Sequence, residues 1–235
     1  MNKIGYIDET WNPVTGCTPD PCLRISPGCD HCWAERMAKR QAGRNGYDAN
    51  HPFRPTLHAD KLDLPLRWKK PRRIATCFMG DLFHEDVPDA WRRSVHRVMW
   101  RAEHHTFLLL TKRPESALQF YTEFRCWLLP NVWLGVSVEL WEHLDRVETL
   151  LQIPGRRWVS FEPLLGAIDA KPSVRDVDWV VAGAETGPGA RPADVDWFRW
   201  IRDPCALFGV PFWLKSLGPG KGDVLDGRRH KELPT

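Results

Sequence analysis

Short apolar runs alternate along the chain with stretches whose apolar positions recur at helical spacing. Arg73 to Met79 (RIATCFM) reads as a buried strand closed by Gly80. Ala90 to Glu103 carries Trp91, Val95, Val98 and Met99 on one side, which predicts a helix. Thr106 to Thr111 (TFLLLT) predicts a second strand, Pro114 to Leu128 a helix, and Val132 to Val138 (VWLGVSV) a third strand. Trp141 to Gln152 predicts a helix with a stripe of Leu144, Val147, Leu150 and Leu151. Trp158 to Phe161 and Trp179 to Ala182 predict two further strands, Asp196 to Leu207 a helix, and Val210 to Leu214 a sixth strand. Ile4 to Ile7 is a candidate initial strand.

Strands alternating with helices imply right-handed βαβ units around a parallel sheet. The runs show little polar alternation, as expected of strands covered on both faces. A full or partial (β/α) barrel and an open doubly wound sheet both fit this pattern. The 235 residues suit a single domain over 1–235. There is no internal repeat, low-complexity stretch or linker.

Distinctive polar residues follow the strands: Gly80-Asp81 with His84-Glu85-Asp86, then Thr111-Lys112-Arg113, Ser137-Val138-Glu139, Glu162-Pro163 and Gly183-Ala184-Glu185. Ligands of both architectures bind at the carboxyl ends of the strands, so these groups converge on one candidate site. The plainer reading of each is a helix cap or surface ion pair. Glu162 directly follows an apolar strand and is expected to point into the mouth.

Hydrophobic residues at 43% and charged residues at 27% are ordinary for a globular protein, and a formal charge of +3 permits nucleic acid without demanding it. No apolar run is long enough to span a bilayer, and Met1 to Glu9 lacks the apolar core of a secretory signal. The expected location is the cytoplasm, with no membrane partner. The 13 tryptophans are expected mostly in the core or at its rim.

The cysteines change this picture. In a reducing compartment seven cysteines do not suggest disulfides, and Cys17, Cys22, Cys29 and Cys32 crowd into a proline-rich loop over about residues 11–33. Cys29-x2-Cys32 is a chelate spacing, and the following Trp33 to Gln41 looks helical, so the loop feeds a helix N-terminus that favours thiolates. A structural zinc site takes four ligands, either four cysteines or three with His31. A fully ligated iron–sulfur cluster also takes four. A catalytic cluster of the radical type takes three and leaves one iron open. Cys77, Cys126 and Cys205 sit singly on apolar patterns and read as core residues. The glycine-rich turn Gly187-Pro188-Gly189 lacks the Lys-Ser/Thr of a phosphate loop, and about 217–235 reads as a flexible basic tail.

The segments TWNPVTGC and RISPGCDHCWAERMA resemble an uncharacterised bacteriophage and prophage family with a three-cysteine motif. The resemblance continues through GDLFHEDVP (Gly80 to Pro88), LLTKRPE (Leu109 to Glu115), WLGVSVE (Trp133 to Glu139), SFEPLLG (Ser160 to Gly166), AGAETGPGARP (Ala182 to Pro192) and VPFWLK (Val210 to Lys215). That family is in turn distantly similar to radical S-adenosylmethionine (SAM) enzymes. Here the loop carries five extra residues. Cys22, Cys29 and Cys32 keep the C-x6-C-x2-C spacing that fixes loop geometry, so Cys22 is the favoured first ligand; Cys17 keeps the TWNPVTG context and is the alternative, and if both bind one cluster no iron is open.

The resemblance implies a parallel (β/α) barrel like the radical SAM core, a [4Fe–4S] cluster, SAM and an electron donor. It implies cofactor contacts from Gly80, Asp81, Ser137, Glu139, Gly183 and Glu185. Glu162, Lys112, Arg113 and His84 form the candidate catalytic set, with Arg191 beside the basic strand end. The expected activity is modification of a nucleotide or nucleic acid in a phage context. The rival is a non-catalytic zinc- or cluster-stabilised module that binds nucleic acid or a partner protein.

Overall fold

The computed structural model describes residues 4–18, 24–123 and 128–234. In chain order the elements are β1 (Glu9–Trp11), β2 (Val14–Thr15), α1 (Trp33–Arg40), β3 (Thr56–Leu57), β4 (Arg73–Thr76), α2 (Asp89–Arg101), β5 (Thr106–Thr111), α3 (Pro114–Glu123), β6 (Val132–Ser137), α4 (Asp145–Leu151), β7 (Arg156–Phe161), α5 (Lys171–Val174), β8 (Trp179–Gly183), α6 (Val195–Phe208), β9 (Phe212–Ser216), β10 (Val224–Leu225) and β11 (Arg228–Arg229).

Seven strands form one all-parallel sheet in the order β1-β4-β5-β6-β7-β8-β9. The order never reverses. Right-handed crossovers that step steadily one way place every helix on the same face. The doubly wound alternative, which needs a reversal, is therefore ruled out, and the sheet curls into a half-barrel within a mixed α/β domain. Among the described residues no helix is long and apolar enough to cross a membrane.

Alternation splits each strand between two cores. Leu134 and Val136, Val159 and Phe161, Val180 and Ala182, and Phe212 and Leu214 pack toward the helices. The intervening Trp133, Trp158, Trp179 and Trp213 fill the floor of the concave face with Tyr6. Trp158 lies over Gly135, where a β-carbon would come within 2.4 Å of the indole, and its Nε1 donates to the Leu109 carbonyl at 3.1 Å. An indole of this size removes about 150–250 Å² from water, worth roughly 4–6 kcal/mol at about 25 cal/mol per Å².

Two expectations need correction. Ile4 to Ile7 is not a strand: pairing begins at Glu9, and the preceding turn places Tyr6 edge-on against Trp179 and Trp213. The stretch expected to be a loose tail is built into the fold. β10 and β11 pair as a hairpin, Leu225 is fully buried, and along the free edge of β9 the Leu214 amide donates to the His230 carbonyl and the Glu232 amide to the Phe212 carbonyl. The apolar residues that drive this are few and spaced among glycines, which hid them in the sequence pattern. Cys77 and Cys205 are buried and held at about 12 by burial, so they are inert core thiols; Cys126 lies outside the described residues.

Candidate functional site at the carboxyl ends of the strands

Continuing the two-residue period of the concave face upward brings Ser137 and Glu139, Ser160 and Glu162, and Gly183 and Glu185 to the mouth on three adjacent strands. Each glutamate has a basic partner. Fully buried Glu139 is paired with Lys112, and Arg146 of α4 reaches its other oxygen at 2.9 Å. Glu162 pairs with Lys215 at 2.8 Å and takes the Ser160 hydroxyl at 3.1 Å. Burial and the neighbouring Glu162 carboxylate raise the Tyr6 phenol well above its ordinary value. Burial alone would raise Glu185, but hydrogen bonds from Arg191 and His31 outweigh it and hold the carboxyl at about 2.

The second half of the cysteine loop rests directly on these glutamates. The Ser26 hydroxyl donates to Glu139 at 2.9 Å, and Lys112 donates to the same hydroxyl at 3.2 Å. Gly28 is pressed so closely against Glu139 that a β-carbon would stand 2.6 Å from its carboxylate. His31 Nδ1 hydrogen-bonds Glu185 at 2.9 Å, and Arg191 donates to the Pro27 carbonyl at 3.0 Å. A 3₁₀ turn over Pro27–Cys29 leads to Cys32, which is the N-cap residue of α1. The net effect of burial raises the Cys32 thiol, despite the Glu35 and Ala34 amides that favour its thiolate.

The first half is held by Arg113. Its guanidinium donates to Cys17 Sγ at 3.4 Å and Thr18 Oγ at 3.2 Å, and pairs with Asp81 at 3.3 Å and Glu85 at 2.8 Å. Asp81 also accepts the Thr111 hydroxyl at 2.7 Å and the Lys112 and Phe83 amides. The Asp86 amide donates to His84 Nδ1, so Nε2 carries the proton and donates to Thr18 at 2.9 Å. Burial, then Arg113, lowers His84 and keeps it neutral. Gly80 makes room for backbone: it bridges Gly16, whose carbonyl oxygen would lie 2.2 Å from a β-carbon. At Gly183 a β-carbon would strike Glu162 at 2.7 Å.

The structure thus brings thirteen of the fourteen sequence-selected residues to one end of the sheet. Cys22 lies outside the described residues. Ser26, Arg146, Ser160, Lys215 and Tyr6 belong to the same network and were not singled out by sequence. Ser160 and Lys215 were recoverable from alternation, two positions from Glu162 and Trp213. Arg146 was not, because it lies between apolar helix positions and looks like an ordinary surface charge.

Cys17, Cys29 and Cys32 are free thiols, and Cys17 and Cys32 pack on one small cluster of Ala34, Ala38 and Phe53. Among the described residues no three His, Cys, Asp or Glu side chains are grouped to hold a metal ion. The donor chemistry nevertheless suits an anionic, thiolate-held group: soft sulfur ligands on one loop, with Lys112 and Arg113 beneath its two halves.

A family model described as Protein of unknown function (DUF5131) matches residues 1–234, and the chain belongs to that family. No curated protein and no solved structure matches it.

Proposed function

We propose that this family member is an iron–sulfur enzyme of the radical SAM type, with Cys22, Cys29 and Cys32 as the ligands of a [4Fe–4S] cluster. The observation that carries the reading is the seating of the cysteine loop on Glu139 and Glu185, which fixes Cys29 and Cys32 over the open end of a parallel half-barrel. Bound there with SAM, the cluster would supply reductive cleavage of the sulfonium and hence hydrogen abstraction, given an electron from a donor protein.

The chain's own residues divide into two groups. Glu139, Asp81 and Glu185 are saturated by internal partners, so their work is to position Ser26, Arg113 and His31, and through them the loop. Contacts to SAM and substrate then fall first to Glu162 and Lys215, which pair with each other, and to Ser137 two positions before Glu139, with Lys112 and Arg191 contributing their charge from within their pairs to Glu139 and Glu185. Glu162 and Lys215 offer a carboxylate and an ammonium within one ion pair, suited to holding or moving a proton on a bound polar group.

A second reading, a zinc-stabilised binding module, draws on the shared packing of Cys17 and Cys32, which would let four thiols close around one ion. Anaerobic purification with iron, sulfide and zinc quantitation separates the two. The enzyme reading expects about four irons per chain and 5′-deoxyadenosine on adding SAM and dithionite. A colourless chain carrying one zinc contradicts it.

A further inference from the structure

We propose that the outward face of α1 is a binding track for single-stranded nucleic acid, leading to the cysteine loop. The substrate class this implies rests on the enzyme reading above; the binding surface itself does not.

The helix begins immediately after Cys32. Its inner face, Ala34, Glu35 and Ala38, is buried. Its outer face presents Trp33, 47% exposed, then Arg36 and Arg40, with Arg44 in the turn that follows. Helix geometry separates Arg36 from Arg40 by about 6 Å of rise, so the cations form a line rather than a cluster.

These charges are not spent inside the protein. Glu35, the helix's own acid, is taken by Arg24 at 2.9 Å and Lys39 at 2.8 Å, and nearby Asp48 pairs with Arg54 at 3.2 Å. Among the described residues, Arg36, Arg40 and Arg44 meet no carboxylate. Their contacts are the Thr186 carbonyl at 3.5 Å, Met37 Sδ at 3.7 Å and the Arg40 carbonyl at 3.5 Å.

A line of guanidinium groups with no acidic partners complements a polyanion, and its planar forks match phosphate oxygens. An exposed indole at the end of that line, next to the cysteine loop, offers a stacking platform for one unpaired base. Arginine rows combined with an aromatic face favour a single strand over a duplex, whose bases are already stacked. A second basic surface, with Lys69, Lys70, Arg97 and Arg101, lies at the amino ends of the strands, away from the mouth, and serves as the control.

The test is fluorescence anisotropy with a labelled 12-nucleotide strand, as DNA and as RNA, and with the matching duplex. It uses the full chain without reductant or SAM, over a range of salt concentrations, with iron content measured on every variant. Either single strand should bind more tightly than the duplex. The triple change R36Q/R40Q/R44Q should lower the salt slope by about 2, from roughly 0.7 per phosphate contact. Trp33→Ala should weaken binding roughly 5–150-fold, the loss of one stacked base, with the slope unchanged. The control K69Q/K70Q/R97Q/R101Q should behave as wild type. The proposal is overturned if wild type binds neither strand, if the duplex binds more tightly, if the triple variant keeps wild-type binding, or if the control abolishes it. Oligonucleotide binding by a chain that releases no 5′-deoxyadenosine would sink only the enzyme reading.

Discussion

The Ser26 hydroxyl donates to Glu139 at 2.9 Å, across 113 positions of sequence, and so pins the cysteine loop to the end of β6. Glu139 in turn gathers Lys112 and Arg146 in a buried ion network. Removing the carboxylate leaves buried Arg146 and half-buried Lys112 without a counter-charge. Glu139→Ala should therefore cost about 3–5 kcal/mol, whereas Ser26→Ala, which removes the bond donated to Glu139 and the one accepted from Lys112 but leaves the ion pairs, should cost about 1–2 kcal/mol. Urea unfolding of both variants checks this ordering, and equal costs would refute the network.

Gly28 has no left-handed backbone requirement, so an alanine there acts only through its β-carbon, 2.6 Å from the Glu139 carboxylate. The loop must lift to accommodate it. Gly28→Ala should lose most of the metal that the wild type binds, while the metal-free forms of the two chains should melt within a few degrees of each other. Cys29→Ala and Cys32→Ala should abolish metal binding, and the inert Cys205 should tolerate alanine without metal loss. Cys22→Ala set against Cys17→Ala identifies the remaining ligand, with Cys22 expected to be the one required. Metal retained in both Cys29 and Cys32 variants contradicts the assignment.

The concave floor depends on Trp158 over Gly135. Trp158→Ala should destabilise by about 3–5 kcal/mol. Trp100, 66% exposed, should lose no more than about 0.5 kcal/mol on the same change. Denaturant midpoints of the pair test whether the tryptophans divide as the structure has them.

His96 packs against Phe120 and Tyr121, with Nδ1 donating to the Arg92 carbonyl and Nε2 accepting from the Tyr121 hydroxyl. Burial lowers it to about 4. The unfolded chain binds this proton near pH 6.5 while the folded chain resists it, so stability is full above pH 6.5 and falls as the pH drops toward 4. The loss should reach about 2–3 kcal/mol. Chemical denaturation at pH 7 and pH 4.5 measures it, and His96→Gln should shrink the difference by about that amount, leaving the share of the other buried histidines such as His84.

The strands were legible because continuous apolar runs such as Thr106 to Thr111 reach solvent on neither face. Periodicity did not distinguish barrel from doubly wound sheet, because strand order is set by long-range pairing. The site was legible from its strand-end residues, but their roles were less so. A sequence shows that Asp81 and Glu139 end their strands, not that Arg113 and Lys112 already neutralise them. Arg146, a charge on an otherwise apolar helix stripe, becomes meaningful only when Glu139 is seen beside it.

If three thiolates at the mouth of the half-barrel hold a cluster, its remaining iron is open to SAM. Electron paramagnetic resonance of the anaerobically reduced protein, recorded before and after SAM is added, tests this directly. A reduced-cluster signal is expected, with g values that shift on SAM addition, in wild type and in Cys17→Ala alike. A spectrum that SAM leaves unchanged, or the absence of any cluster signal in protein confirmed to be folded, contradicts it.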